Sequence, residues 1–156
     1  MTTNRQLRIE LLKNQQEFVR KTRQILLALS KIDPQACLFS IDKAVANRTM
    51  VKKLWELIPE EQDSYQINGM EPDQMIAFIA EVDLNQKVTL HLGWDLFSFE
   101  CTFKAAWFAW DHFNTIDTDT YNACIFPPNP EWFIIRAGNN LYPMVFKEGG
   151  FVLAGK

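Results

Sequence analysis

The segment Trp132-Phe-Ile-Ile-Arg-Ala-Gly-Asn-Asn-Leu-Tyr-Pro-Met-Val-Phe146 carries the clearest fold signal in this chain of 156 residues. Two apolar runs, 132–135 and 141–146, flank Gly138 and the two asparagines that follow it. Glycine and asparagine tolerate positive φ, so they favour a tight reversal between two strands. The segment therefore predicts a β-hairpin.

The residues after this hairpin extend the pattern. Lys147-Glu-Gly-Gly150 offers a second reversal into the apolar residues 151–153. The C-terminus is thus predicted to form a three-stranded antiparallel meander. Because proline has no N–H to give to the ladder, Pro143 is expected to place its strand at a sheet edge.

Earlier segments also show strand patterns. Residues 87–92 alternate strictly between apolar and polar positions, and residues 97–103 repeat this period of two. His91 falls on the polar face of its strand, so we expect it to be exposed to solvent. Residues 105–113 are apolar except at positions 111 and 112 and show no clear period, which fits a buried strand or a buried helix, and we favour a strand.

Three segments carry the period of 3.6 residues that indicates amphipathic helices. Apolar residues in steps of four and seven predict one long helix over residues 4–30. Asp33-Pro34 resembles an N-cap followed by proline at the first helical position, so one or two further helices are predicted over 35–57. A short helix is predicted over 72–82.

Together these elements predict an α+β fold. N-terminal helices are expected to pack on a mostly antiparallel sheet formed by the C-terminal half and ending in the meander. The length fits a single domain over residues 1–156. Its helical part is expected at 1–60, and its mainly β part, with one short helix, at 61–156. The order of the strands and the oligomeric state stay open.

Charge is unevenly divided between these two parts. Residues 1–60 hold eleven Lys/Arg and six Asp/Glu, whereas residues 61–156 hold five and thirteen, for a net charge of −3. Four basic residues lie opposite the apolar stripe of the first predicted helix: Arg5, Lys13, Arg20 and Arg23. We interpret them as a solvated face, with contact to phosphate or to an acidic protein as the alternative.

Several kinds of chemistry find no support in the residues. The three cysteines, Cys37, Cys101 and Cys124, lack CxxC spacing, and the glycines form neither a dinucleotide motif nor a P-loop. We therefore expect no metal and no cofactor, and we expect Cys101 and Cys124 to be inert thiols among apolar neighbours. Without a signal-peptide pattern or a long apolar segment, the chain is predicted to be cytoplasmic and not membrane-bound.

The most suggestive local composition combines tryptophans with carboxylates in the second half of the chain. Binding energy at interfaces concentrates in Trp and Tyr, and rim carboxylates speed the encounter with a basic partner. A proline-containing loop is predicted over 114–131, and loops of that length in compact domains usually bind something. The predicted partner-binding residues are Trp107, Trp110, Asp111, Asp117, Asp119, Glu131 and Trp132.

The leading prediction is a non-catalytic inhibitory protein whose partner is a basic protein. Most concretely, it is an immunity-type protein that neutralises a basic bacterial toxin, such as a nuclease, by covering its active-site surface. Two alternatives stay open. One is a small hydrolase with a site around His112, Asp111 and loop carboxylates. The other is an assembly or nucleic-acid adaptor that uses the basic N-terminal helix, although the acidic overall composition disfavours nucleic acid.

Overall fold

The computed structural model describes residues 4–59, 63–66, 70–71, 73–75, 83–92, 96–112 and 122–155, with the backbone alone at 109–112. Within these residues, three helices of ten or more residues and a single sheet of eight strands form an α+β fold, which confirms the predicted class. The helices are α1 (Asn4–Ser30), α2 (Ile41–Glu56) and α3 (Phe103–His112). The strands are β1 (Cys37–Leu38), β2 (Tyr65–Gln66), β3 (Lys87–Leu92), β4 (Phe97–Thr102), β5 (Asn122–Phe126), β6 (Trp132–Ala137), β7 (Asn140–Lys147) and β8 (Gly150–Leu153).

The strands lie in the order β1-β4-β3-β5-β6-β7-β2, and β8 pairs with β7. Every pair among these strands is antiparallel. The predicted meander is confirmed as β6, β7 and β8. β5 was not predicted, because its residues fell inside the loop expected over 114–131; residues 113–121 lie outside the described part of the chain.

Helices cover both faces of the sheet. α1 and α3 bury Ile25, Leu29 and Phe103 on one face, together with side chains of β3 to β7. α2 buries Val51 and Leu54 on the other face, against β5 to β8. Because both faces are covered, alternation along a strand does not separate buried from exposed positions here.

Pro143 does not lie on an outermost strand. One side of β7 pairs with β6; on its other side β2 pairs with Leu141, and β8 pairs with the chain from Met144 onward. Pro143 falls between these two partners, and its carbonyl accepts the N–H of Ala154 at 2.7 Å. The missing N–H is therefore tolerated because the ladder changes partners at this residue.

The first predicted helix is confirmed as α1, but the turn that follows differs from the prediction. Asp33 is not the N-cap of a helix: its carboxylate accepts the N–H of Gln35 and the N–H of Thr102, each at 3.0 Å. It thereby ties the turn to the end of β4. α2 is capped by Ser40, whose hydroxyl accepts the N–H of Lys43 at 3.2 Å.

The strand favoured over residues 105–113 was wrong, since residues 103–112 form α3. The hydroxyl of Thr102 accepts the N–H of Ala105 at 3.2 Å, as an N-cap does. The N–H groups of Phe103 and Lys104 donate to loop carbonyls at 2.8 and 3.0 Å. These contacts satisfy three of the free N–H donors at the start of α3, and their acceptors in Leu84, Gln86 and Thr102 lie outside the apolar run at 105–113.

Two further predictions can be compared with the structure only where the residues are described. Of the helix predicted over 72–82, residues 73–75 are helical, and 72 and 76–82 lie outside the described residues. Across the described parts of the chain, no helix has the length and apolar character needed to cross a bilayer.

Candidate functional site

The structure places two of the predicted partner-binding tryptophans in the core. Trp107 and Trp132 are 3% and 6% exposed. Their rings lie 6.0 and 5.9 Å from the ring of Phe103, the first stacked and the second edge-on. These indoles stabilise the packing of α3 on the sheet and do not form a surface in the folded chain.

The structure describes the other predicted partner-binding residues only in part. Glu131 is exposed and immediately precedes β6. Trp110 and Asp111 lie in α3, where the structure describes only the backbone, and the same holds for His112 of the hydrolase alternative. Asp117 and Asp119 lie outside the described residues. Partner binding by this group therefore stays a prediction.

His91 was expected on an exposed face, and that was wrong. It is fully buried, because α2 covers the side of β3 on which it lies. In the sheet register His91 is opposite Ser98 and Thr89 is opposite Glu100. The paired strands β3 and β4 thus present polar residues beneath α2.

A hydrogen bond joins α2 to this polar area. The side-chain amide of Asn47 donates to the hydroxyl of Ser98 at 2.7 Å, and the two residues are 3% and 0% exposed. Toward β5 and β6 the same face of the sheet is apolar, with Phe126 and Phe133 among its buried residues. The sheet face under α2 is therefore half apolar and half polar.

A cavity of about 200 Å³ opens between the first turns of α2 and strands β3 and β4. We call it the α2 pocket. Its apolar walls include Phe39, Phe126 and Pro128. Its polar lining consists of Lys43, Asn47, Lys87, Thr89 and Glu100.

The charges of the α2 pocket do not cancel. Lys87 and Glu100 form an ion pair at 3.8 Å, with side chains 60% and 39% exposed, so solvent weakens their attraction. The ammonium of Lys43 forms no ion pair with any residue that the structure describes. Among the described residues that line the pocket there are two cations and one anion, an excess of positive charge that favours an anion.

A second feature is the side of α1 that faces away from the sheet. The inner side of α1 packs through Ile25, Leu29 and Phe18, whose ring stacks on Phe97 at 4.9 Å. The other side bears apolar residues that nothing in the described chain covers. We call this the α1 outer face, and it consists of Leu12, Val19 and Leu27 with Arg20 and Arg23 between them.

The cysteines agree with the expectation of inert thiols. Cys101 and Cys124 are buried, and loss of hydration raises the pKa of both well above its ordinary value. Cys37 is exposed in β1. No cluster of His, Cys, Asp and Glu suited to a metal ion occurs among the described residues.

Comparisons of this chain with protein-family models, with curated proteins and with solved structures found no match. Sequence reasoning also missed the α2 pocket. The signal was present in the polar positions of residues 87–92, of which we had expected His91 to be exposed to solvent. A buried polar strand face and a solvated one have the same alternation, so only the position of α2 distinguishes them.

Proposed function

We propose that this chain is a protein-binding protein that holds an acidic partner on the α1 outer face. The observation that carries the proposal is the exposure of three large apolar side chains in one row of a helix. Leu12, Val19 and Leu27 are 57%, 46% and 67% exposed. Single exposed apolar residues are ordinary, whereas several large ones on one side of a helix, interspersed with polar residues, indicate an interaction site.

The charge of α1 selects the kind of partner. The helix contains six basic and two acidic residues. Arg20 and Arg23 border the apolar row, and Glu17 is held by Arg20 at 2.8 Å. Burial of this surface against a second copy of itself would bring like charges together, which destabilises helix pairs. An acidic partner would instead relieve the repulsion and associate faster.

The spacing favours a partner that offers an apolar groove. Leu12, Val19 and Leu27 are separated by two helical turns each, so one side of the helix presents them in succession. Amphipathic helices bind grooves through anchors of this kind. The proposed partner therefore has an apolar groove or helix face bordered by Asp and Glu.

The finer prediction of an immunity-type protein does not use this surface. It needs the acidic residues near Glu131, whose chemistry suits a basic toxin. We keep it as a separate proposal with its own test, in which the change Glu131→Gln slows association with a basic nuclease. An unchanged association rate would contradict that proposal and leave the one for α1 intact.

The α1 proposal is tested with a defined probe, a synthetic helical peptide with Leu at heptad positions a and d and Glu at e and g. We expect the protein to bind this peptide in a fluorescence anisotropy titration, more weakly as NaCl is raised. The variant Leu12→Ser/Leu27→Ser should lose the binding. The matched control Leu57→Ser/Val152→Ser removes two exposed apolar side chains elsewhere on the protein, 47% and 42% exposed, and should retain it.

Three other results would overturn the proposal. The first is equal binding by both double variants. The second is sedimentation as a dimer that Leu12→Ser/Leu27→Ser disperses, since a second copy would then occupy the surface. The third is binding to phosphatidylglycerol vesicles without binding to the peptide, which would make α1 a membrane-surface helix.

A further inference from the structure

We propose that the α2 pocket binds a small organic anion, namely a carboxylate attached to a single flat apolar ring. The α2 pocket lies on the opposite side of the sheet from α1, so this inference does not depend on the α1 proposal. It follows from three observations: buried polar groups at the pocket, an excess of positive charge in its lining, and a volume that matches one ring.

The buried polar groups are the first observation. Thr89 and Asn47 line the pocket and are 6% and 3% exposed. A ligand held in the cavity loses its water shell, and the polar atoms of these side chains offer it hydrogen bonds in place of water. The amide nitrogen of Asn47 carries two N–H donors, and Ser98 takes one of them.

Charge determines the sign of the ligand. Lys43 and Lys87 provide two ammonium groups, and within the part of the chain that the structure describes only Lys87 forms an ion pair, with Glu100 at 3.8 Å. An anion bound beside Lys43 gains a charge-assisted hydrogen bond without breaking the Lys87 pair. A cation would meet the opposite balance, because it would compete with Lys87 for Glu100 and be repelled by Lys43.

Size and wall chemistry determine the rest of the ligand. An apolar cavity of about 150 Å³ is known to hold benzene. The α2 pocket has about 200 Å³, which accommodates a six-membered ring with one small substituent. Phe126 and Pro128 provide flat apolar surface for the ring, while Thr89 and Lys43 provide donors for the carboxylate. A bare phosphate ion would leave the apolar walls uncovered.

Benzoate is the probe for this site, and a ¹H–¹⁵N NMR titration of the full chain is the measurement. We expect saturable shifts of the side-chain amide of Asn47 and of the backbone amides of Thr89 and Phe126. Lys43→Gln should weaken binding about tenfold, the loss expected for one charge-assisted hydrogen bond. Lys52→Gln removes another exposed lysine of α2, one that does not line the pocket, and it should bind benzoate as the parent does.

A second variant tests whether Lys43→Gln acts on binding through the pocket itself. Thr89→Val keeps the shape of the side chain and removes its hydroxyl, and we expect it to weaken benzoate binding severalfold. A thermal melt of each variant without benzoate shows whether the fold is retained. Benzoate binding that neither Lys43→Gln nor Thr89→Val weakens, in proteins that retain the fold, would overturn the proposal.

Three analogues test the ligand class. Benzamide keeps the ring and lacks the charge, inorganic phosphate keeps the charge and lacks the ring, and benzylamine reverses the charge. Benzoate should bind more tightly than each of them. Equal or tighter binding of benzamide would show that the pocket does not recognise the charge, and the same result with phosphate would show that it does not recognise the ring. Equal or tighter binding of benzylamine would show that it does not select a negative charge.

Discussion

The side-chain amide of Asn47 donates a hydrogen bond of 2.7 Å to the hydroxyl oxygen of Ser98, across 51 residues of sequence. Both side chains are buried, one in α2 and the other in β4. The bond connects a helix of the N-terminal part to a strand of the C-terminal part at the border of the polar area under α2. A buried hydrogen bond of this kind both stabilises the packing and specifies the position of the helix.

Removal of this hydrogen bond should destabilise the fold. Asn47→Ala leaves the buried hydroxyl of Ser98 without its donor, and we expect the free energy of unfolding to fall by about 1–3 kcal/mol in urea denaturation. Asn47→Ala/Ser98→Ala should be less destabilised than the sum of the single variants, because the second change removes the unsatisfied group. Additive effects would show that the two side chains do not interact. Lys52→Ala, exposed on the same helix, serves as the control.

Truncation of Trp132 tests its assignment to the core. Trp132 is 6% exposed and packs edge-on against Phe103. Trp132→Ala should lower the free energy of unfolding by about 3–5 kcal/mol, since it removes a large buried side chain and leaves a cavity. Glu131→Ala changes the exposed neighbour and should stay within about 0.5 kcal/mol of the parent. If both variants were as stable as the parent, Trp132 would not be a core residue.

Glu148 offers a route to higher stability. The loop between β7 and β8 has Glu148 at φ +52° and Gly149 at φ +84°, the backbone of a type I′ turn. A residue other than glycine or asparagine is strained there, by about 1–2 kcal/mol. Glu148→Asn should therefore raise the free energy of unfolding by about 0.5–1 kcal/mol. Glu148→Ala has the same positive φ without the asparagine side chain, so a similar gain in both variants would exclude relief of backbone strain as the cause.

The three thiols should differ in reactivity. Cys37 is exposed, whereas Cys101 and Cys124 are buried, with pKa values raised by loss of hydration. The thiolate is the reactive form, so Ellman's reagent should modify one thiol in the native protein and three after unfolding. Cys37→Ser should abolish the native reaction. Rapid native modification of two or more thiols would contradict the burial of Cys101 and Cys124.

The same burial predicts a loss of stability at alkaline pH. In the unfolded chain a thiol ionises near pH 8.5, whereas in the folded chain the pKa values of Cys101 and Cys124 are raised. The contribution of these two thiols to the free energy of unfolding is fully present below the pKa of the unfolded chain. It is lost as the pH rises above that pKa, because the unfolded chain then releases protons that the folded chain retains. Urea midpoints should fall above about pH 8.5. The fall should be smaller in Cys101→Ala/Cys124→Ala, and an equal fall would contradict the prediction.

Local physical chemistry explains the elements that were predicted correctly. The hairpin between β6 and β7 depends on Gly138, which lies at φ +62° in the two-residue loop. Both the turn and the alternation beside it involve neighbours in sequence, so the pattern is complete within fifteen residues. α1 is similar, because its apolar stripe repeats over 27 residues.

The candidate sites were less predictable. Trp107 lies in an apolar run and Trp132 follows Glu131, and neither local pattern distinguishes a surface anchor from a core residue. For the α2 pocket, Lys43 and Asn47 come from α2, whereas Thr89 and Glu100 come from β3 and β4. No spacing rule connects these segments, since their proximity depends on how α2 crosses the sheet.

By itself, the sequence determined the α+β class, the helix over residues 4–30, the strand over 87–92, the strand predicted over 97–103 that ends at Thr102, and the C-terminal meander, because each depends on periodicity and turn residues within one short segment. The tertiary structure decided the helical state of residues 103–112, the burial of His91 and the electropositive cavity beside Lys43. A uniformly apolar run has no period that separates helix from strand, and an alternating strand has no feature that shows whether its second face is covered. The helical state of the run and the burial of the strand face both depend on which element packs against them, and that packing brings together residues that are far apart in the chain.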